Sequence, residues 1–86
     1  MVYELDTEKL VFRMVSALVD DLREVRVRSI TTETGTIFEV TVAATDIGKV
    51  IGKQGRNVGA IRQLLSEIGH TANKRYGLDV VTTNRL

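Results

Sequence analysis

A short segment in the middle of the chain combines glycines with basic side chains at a spacing suited to binding phosphate. Two glycines enclose a basic and a polar residue, and two further basic residues flank them: Lys49, Gly52, Lys53, Gln54, Gly55 and Arg56. Glycine has no Cβ atom, so a polyanionic backbone can approach the main chain closely at such a turn. Lysine adds a point charge, and the arginine guanidinium can hold a phosphate through two hydrogen bonds. The segment therefore predicts a turn that binds phosphate groups.

The surroundings of this turn predict a helix behind it and an apolar shelf beside it. After Gly55 the apolar residues recur at helical spacing, which predicts that a helix begins there. The free amides and the positive dipole end of a helix N-terminus favour phosphate. The shelf consists of Ile47, Val50, Ile51 and Val58. We expect the strand that ends at Val42 to form the opposite wall of a groove. A base can lie there while its phosphate is held at the glycines, which suits single strands because duplex bases are stacked inside. We do not expect the bases to stack on aromatic rings, because the aromatic residues are few and scattered. Two of them, Phe12 and Phe38, are expected in the core.

Other phosphate-binding loops fit the residues less well. A Walker A loop needs four residues between its first glycine and its Gly-Lys pair. Gly48 and Gly52 are separated by three, and Gln54 stands where a hydroxyl is required. A dinucleotide-binding turn needs three glycines, and Val50 stands at the position of the first. The spacing therefore disfavours a nucleotide-binding site.

The remaining polar residues assemble no catalytic or metal-binding constellation. His70 is the only histidine, and Glu67, three residues before it, makes no metal site without further ligands. Asp20 and Asp21 are typical of a solvated helix end. The absence of cysteine excludes thiolate chemistry and disulfides. We expect no enzymatic activity, no metal and no cofactor.

Length, composition and charge indicate one small soluble domain. The chain has 86 residues, 43% of them apolar, which predicts a single folded globule. A membrane span needs about 18 or more consecutive apolar residues, and the sequence has no such run. It also lacks the basic-then-apolar order of a secretory signal. We therefore expect a cytoplasmic protein. Residues 1–46 carry five basic and nine acidic side chains, a balance of −4, whereas residues 47–86 carry seven basic and two acidic ones, a balance of +5. This asymmetry predicts either an anion-binding surface or a solvated basic helix face, and charge alone leaves both open.

Apolar periodicity predicts two long helices with a short one between them. Spacings of three and four indicate a helix over residues 7–22, with Asp6 as its N-cap. The same spacings indicate a helix over residues 56–76 that ends at Gly77. Asp46 is expected to cap the short apolar helix before the glycine turn.

Alternating β-branched residues predict a hairpin and a final strand. Two runs, over residues 25–30 and 36–43, flank a short turn in which Gly35 suits a left-handed conformation. One face of the second run is apolar and consists of Phe38, Val40 and Val42. The final strand covers residues 78–83, and residues 84–86 form a frayed tail.

The glycine-bounded segment resembles a known family. The sequence motif of the KH domain is similar to Val50-Ile51-Gly52-Lys53-Gln54-Gly55-Arg56, followed by Val58 and Ile61. A helix and a strand ahead of a strand–helix–helix–strand core resemble the bacterial type II arrangement, and a chain of this size resembles the small bacterial KhpA family. The resemblance covers about residues 7–83 within a single domain of residues 1–86. It implies an α+β fold with the order α-β-β-α-α-β, in which a three-stranded sheet carries three helices packed on one face.

The resemblance also implies a ligand and partners. Residues 52–55 would meet the sugar-phosphate backbone of single-stranded RNA. Apolar neighbours would line the groove or the core beneath it: Ile47, Val50, Ile51, Val58 and Ile61. The family is expected to act in RNA chaperoning or post-transcriptional regulation, as a homodimer or with a larger KH-containing partner. Two rival functions remain open: binding of single-stranded DNA, since the predicted contacts need no 2′-hydroxyl, and a protein-interaction module that has lost its nucleic-acid ligand.

Overall fold

The computed structural model describes residues 6–83 as a sheet covered by helices. Its regular elements are α1 (Thr7–Ser16), β1 (Arg26–Thr31), β2 (Thr36–Val42), α2 (Ile47–Ile51), α3 (Arg56–Thr71) and β3 (Tyr76–Thr82). Short 3₁₀ turns cover Leu22–Glu24, Ala44–Asp46 and Lys53–Gly55. The predicted α+β fold and its α-β-β-α-α-β order are confirmed. No helix in this described part is long and apolar enough to cross a membrane. The predicted tail, residues 84–86, lies outside the described residues.

A three-stranded mixed sheet forms one side of the core. The strands lie in the order β1-β2-β3, with β1 antiparallel to β2 and β2 parallel to β3. The middle strand buries Phe38, Val40 and Val42 on one face, as predicted. Buried apolar residues from all three helices meet that face: Val11, Val15, Val50, Val58, Ile61 and Leu65. Because each such burial contributes about 1.5–3 kcal/mol, the helices and the sheet stabilise one another as a single unit.

One of the two phenylalanines expected in the core lies there. Phe38 is 4% exposed and packs edge-on against Tyr76, with the ring centroids 5.2 Å apart. Phe12 is 42% exposed, so the prediction for Phe12 is wrong. Val11 and Val15, four residues apart on α1, face the sheet and are fully buried, which turns Phe12 outward.

The first helix ends at Ser16, earlier than the predicted residue 22. The N-cap is Asp6, as predicted, and its carboxylate accepts a hydrogen bond from the Lys9 amide at 3.1 Å. Farther along, the main-chain amides of Asp20 and Asp21 donate to the carboxylate of Asp46, which lies 26 and 25 residues later in the chain. Amides committed to that distant acceptor cannot make helical hydrogen bonds, so α1 cannot continue through residues 20–22 as predicted.

The third helix ends at Thr71 rather than at residue 76 because the chain forms a tight C-terminal cap there. Asn73 adopts a left-handed conformation with φ 57°. The Lys74 amide donates to the Gly69 carbonyl at 2.7 Å and the Asn73 amide donates to that of His70 at 3.1 Å, the pattern of a Schellman motif. Gly77 lies inside β3, so its predicted role as the helix end is wrong.

Gly35 lies in the hairpin turn, but not for the predicted reason. It is not among the residues with positive φ, so the predicted left-handed conformation is wrong. A Cβ atom on Gly35 would instead lie 2.2 Å from the carbonyl oxygen of Arg75, in the connection between α3 and β3. Glycine is therefore required by the close approach of two main chains, a contact across 40 residues that turn chemistry does not reveal.

Candidate nucleic-acid interface

The loop between α2 and α3 is built from backbone conformations that favour glycine. Gly52 has φ 77° and ψ 169°, and Gly55 has φ 74°. Gln54, between them, has φ 57°, which costs a non-glycine residue roughly 1–2 kcal/mol. The chain thus turns from one helix into the next within four residues, at the position that the sequence predicts.

The two glycines meet different surroundings. A Cβ atom on Gly52 would lie 2.6 Å from Cγ of Asn57, so the missing side chain makes room for a neighbour. A Cβ atom on Gly55 would meet nothing within 4 Å. The space over Gly55 is therefore open, and a ligand backbone can approach the main chain there.

The charged side chains at the start of α3 face solvent. Lys53 and Arg56 are exposed, and neither pairs with a carboxylate within residues 6–83. Arg56 Nη2 donates to Oε1 of Gln54 at 3.2 Å, which holds the two side chains side by side. No side chain caps the N-terminus of α3. Two cations thus flank a helix end whose dipole also favours an anion.

Lys49 differs from these cations because its ammonium group is already paired. Its Nζ donates to the carboxylate of Asp20 and contacts Oδ1 of Asp46 at 3.4 Å. The hydrogen bond to Asp20 raises the pKa of Lys49 above its usual 10.5. Lys49 therefore lies beside the loop, as predicted, with its charge largely compensated.

Asp46 holds the N-cap position of α2, as predicted, but its side chain makes no capping hydrogen bond there. It is only 1% exposed, and its two carboxylate oxygens accept hydrogen bonds from the amides of Asp20 at 3.2 Å and Asp21 at 2.9 Å. The Asp21 hydrogen bond, with those from Asp20 and Lys49, lowers the pKa of Asp46 below 3.8 although burial opposes this. The carboxylate thereby ties the chain after α1 to the start of α2.

Over residues 6–83, no three acidic or histidine side chains are grouped so as to hold a metal ion.

The predicted apolar shelf is smaller than the sequence suggests. Ile47 and Ile51 are half-buried and lie four residues apart on one face of α2. The other two predicted members, Val50 and Val58, belong to the core, as does Ile61. Val42 is also fully buried, in the middle strand, so the expectation that this strand forms an open wall is wrong. The edge strand beside α3 is β3, whose Leu78 carbonyl accepts a hydrogen bond from Arg62 at 3.4 Å.

Sequence comparison agrees with this architecture. The family model described as KhpA/KhpB, KH domain, matches residues 8–80, which is most of the chain. This chain belongs to the KhpA/KhpB family of KH domains. The match extends from α1 into β3, so the glycine-bounded turn is the loop between two helices of a KH domain.

Three relatives illustrate how closely the chain resembles other members of the KhpA/KhpB family. The RNA-binding protein KhpA of Treponema pallidum (strain Nichols) is 42% identical over 74 residues, which cover 86% of this chain and 92% of that protein. The protein of the same name from Chlamydia pneumoniae is 40% identical over 68 residues, or 79% and 87% of the two chains. That of Listeria monocytogenes serovar 1/2a is 35% identical over 74 residues, or 86% and 97%.

Asn57 is a structural element of this KH loop that the sequence analysis missed. Its Nδ2 donates to the carbonyl oxygen of Lys49 at 2.8 Å. That carbonyl belongs to the last turn of α2, where helical partners are lacking. Asn57 thus joins the first turn of α3 to the end of α2 across the loop. The available signal was an amide side chain two residues after Gly55, in the first turn of the helix.

Proposed function

We propose that this protein binds single-stranded RNA with the loop of residues 52–55 and catalyses no reaction. The observation that carries the proposal is the open space over Gly55, at an uncapped helix N-terminus flanked by the unpaired cations Lys53 and Arg56. A phosphate there would meet main-chain amides and two positive charges. The names of the relatives, RNA-binding protein KhpA, support the choice of ligand.

The bases would lie next to the loop on the half-buried side chains of Ile47 and Ile51. Val50, Val58 and Ile61 would support this binding surface from the core, because they pack α2 and α3 into it. Lys49 would contribute less to phosphate binding than Lys53 or Arg56, because Asp20 and Asp46 already compensate its charge. Single strands fit this surface better than duplexes, whose bases are not accessible.

A groove of this kind covers about four nucleotides, so one domain should bind weakly. Self-association, or pairing with a larger KH-containing protein, would strengthen binding by raising the effective concentration of the second site. Such a module suits a cytoplasmic RNA chaperone or post-transcriptional regulator. The family name, which joins KhpA and KhpB, supports a partner of related fold.

Titration of a labelled four-nucleotide RNA against the protein tests the proposal. Replacing Lys53 and Gln54 together by Asp should reduce affinity strongly, since it places two acids where the phosphate would lie. Arg13→Asp, which reverses one exposed charge on α1, should have a much smaller effect. Equal affinity of the loop variant and the unmodified protein would favour a protein-interaction module instead. Tighter binding of the matched DNA than of the RNA would favour the single-stranded DNA alternative.

A further inference from the structure

Lys49 and Asp20 form an exposed ion pair beside the loop. The ammonium group of Lys49 donates to the carboxylate of Asp20 and also lies 3.4 Å from Oδ1 of Asp46. The side chain of Asp20 is 81% exposed. Within residues 6–83 its carboxylate contacts no other hydrogen-bond donor. A ligand approaching from solvent can therefore reach both members of the pair.

Asp46, the second carboxylate near Lys49, is held more firmly than Asp20. It is buried, and its oxygens accept hydrogen bonds from the main-chain amides of Asp20 at 3.2 Å and Asp21 at 2.9 Å. The carboxylate of Asp20 depends on Lys49 alone in the described part of the chain, and an exposed ion pair of this kind contributes little to stability. An incoming anion can therefore displace Asp20 from Lys49 while Asp46 stays in place.

The exposed surface of α2 leads from its apolar side chains to Lys49. At about 100° per residue, Gly48 lies between Ile51 and Lys49 around the helix, and the buried Val50 lies on the opposite side. Gly48 is exposed, and a Cβ atom there would meet nothing within 4 Å. Lys49 precedes Gly52 by about 4.5 Å along the helix axis. A strand held at the loop can therefore cross α2 over Gly48 and bring a phosphate to Lys49.

We infer that Asp20 is an internal competitor for the RNA: its carboxylate occupies the place at Lys49 that a phosphate of the bound strand would take. This inference rests on the proposed function. Carboxylate and phosphate oxygens both accept charge-assisted hydrogen bonds from an ammonium group. Binding would exchange one ion pair for another at Lys49, so this lysine adds little net affinity while Asp20 is present. Asp20 thereby weakens RNA binding by one phosphate contact and shortens the lifetime of the complex.

Neutralising Asp20 tests this inference by titration with the four-nucleotide RNA. Asp20→Asn should raise the affinity several-fold, because Lys49 is then free to bind a phosphate. The slope of log K against log salt should become steeper by about 0.7, the value for one further phosphate contact of a single strand. Asp21→Asn is the matched control, since it removes the neighbouring carboxylate, which pairs with Arg23 at 3.5 Å. It should change the affinity and the salt slope much less.

A double variant shows whether the effect of Asp20 depends on Lys49. In a chain that carries Lys49→Gln, the additional substitution Asp20→Asn should raise the affinity no more than Asp21→Asn does. The two substitutions should therefore be strongly non-additive, as expected for side chains in direct contact.

Two results would overturn the inference. One is an unchanged affinity and salt slope of the Asp20→Asn variant. The other is an equal gain from Asp20→Asn with and without Lys49, which would show that the carboxylate acts only by general charge repulsion. Failure of the proposed function itself would appear elsewhere, as unchanged binding of the four-nucleotide RNA by the Lys53 and Gln54 variant.

The side-chain carboxyl carbon of Asp20 provides a second measurement on the unmodified protein. Its nuclear magnetic resonance shift should move when the four-nucleotide RNA is added, and by more than that of Asp21, because Asp20 leaves Lys49. A resonance of Asp20 that stays in place while the loop amides move would contradict the exchange.

Discussion

The side chain of Asn57 occupies the space that a β-carbon on Gly52 would need, with its Cγ 2.6 Å from that position. The same carboxamide donates to the Lys49 carbonyl at 2.8 Å. One residue of α3 therefore contacts both the last turn of α2 and the first residue of the loop. The shape of the loop depends on this contact as much as on its own glycines.

Alanine at the two loop glycines should affect stability unequally. Gly55→Ala should lower the free energy of unfolding by about 1–2 kcal/mol, because φ is positive but space is available. Gly52→Ala should lower it by more, since the new methyl group also displaces Asn57. Urea unfolding of the two variants measures the difference. Equal losses would contradict the close packing of Asn57 against Gly52.

Removing the Asn57 carboxamide should loosen the loop. Asn57→Ala should lower the free energy of unfolding by about 1 kcal/mol, the usual value of one hydrogen bond, and weaken binding of the four-nucleotide RNA. Asn57→Asp should not rescue either property, because an ionised carboxylate cannot donate to the Lys49 carbonyl. Urea unfolding and RNA titration provide the two measurements. Full rescue by Asp would mean that helix-dipole stabilisation, rather than this hydrogen bond, is the role of the side chain.

Asp46 should make stability depend on pH in the acid range. Because its pKa is lower in the folded chain than its ordinary 3.8, its contribution is fully present above that value. It is lost as the pH falls through the lowered folded pKa. Asp46→Asn should be less stable at pH 7, since one amide of the Asp20–Asp21 pair loses its acceptor, and its stability should fall less steeply below pH 3.8. Urea unfolding between neutral and acid pH tests this, and identical pH profiles would contradict it.

Gly59→Ala should stabilise the chain. The substitution should raise the free energy of unfolding by about 1 kcal/mol, since alanine favours a helix and its methyl group meets no atom. Urea unfolding of the variant and of the unmodified protein measures the change. A loss of stability would contradict the open space over Gly59.

The features predicted correctly are those set by residues close together in sequence. The alternation of Phe38, Val40 and Val42 identifies the buried face of β2, and the spacing of Gly52 and Gly55 identifies the turn between helices. Period and turn chemistry are local signals, and the fold order follows from them.

The features that were missed depend on partners far along the chain. The carboxylate of Asp46 is held by amides 25 and 26 residues earlier, and these bonds keep residues 20 and 21 out of a helix. Gly35 is required by Arg75. The end of α3 was predicted at the wrong place for a different reason. Gly77 comes shortly after basic residues, a pattern typical of a helix C-terminus, but the left-handed residue that ends α3 is Asn73.

Amide chemical-shift mapping with an added oligoribonucleotide tests the central claim most directly. We predict that the largest changes fall on the loop and its flanks, at Gly52, Lys53, Gly55 and Arg56, and that they fade as salt is added. Changes confined to the sheet face turned away from the helices, where Arg28 pairs with Glu39, would contradict the account.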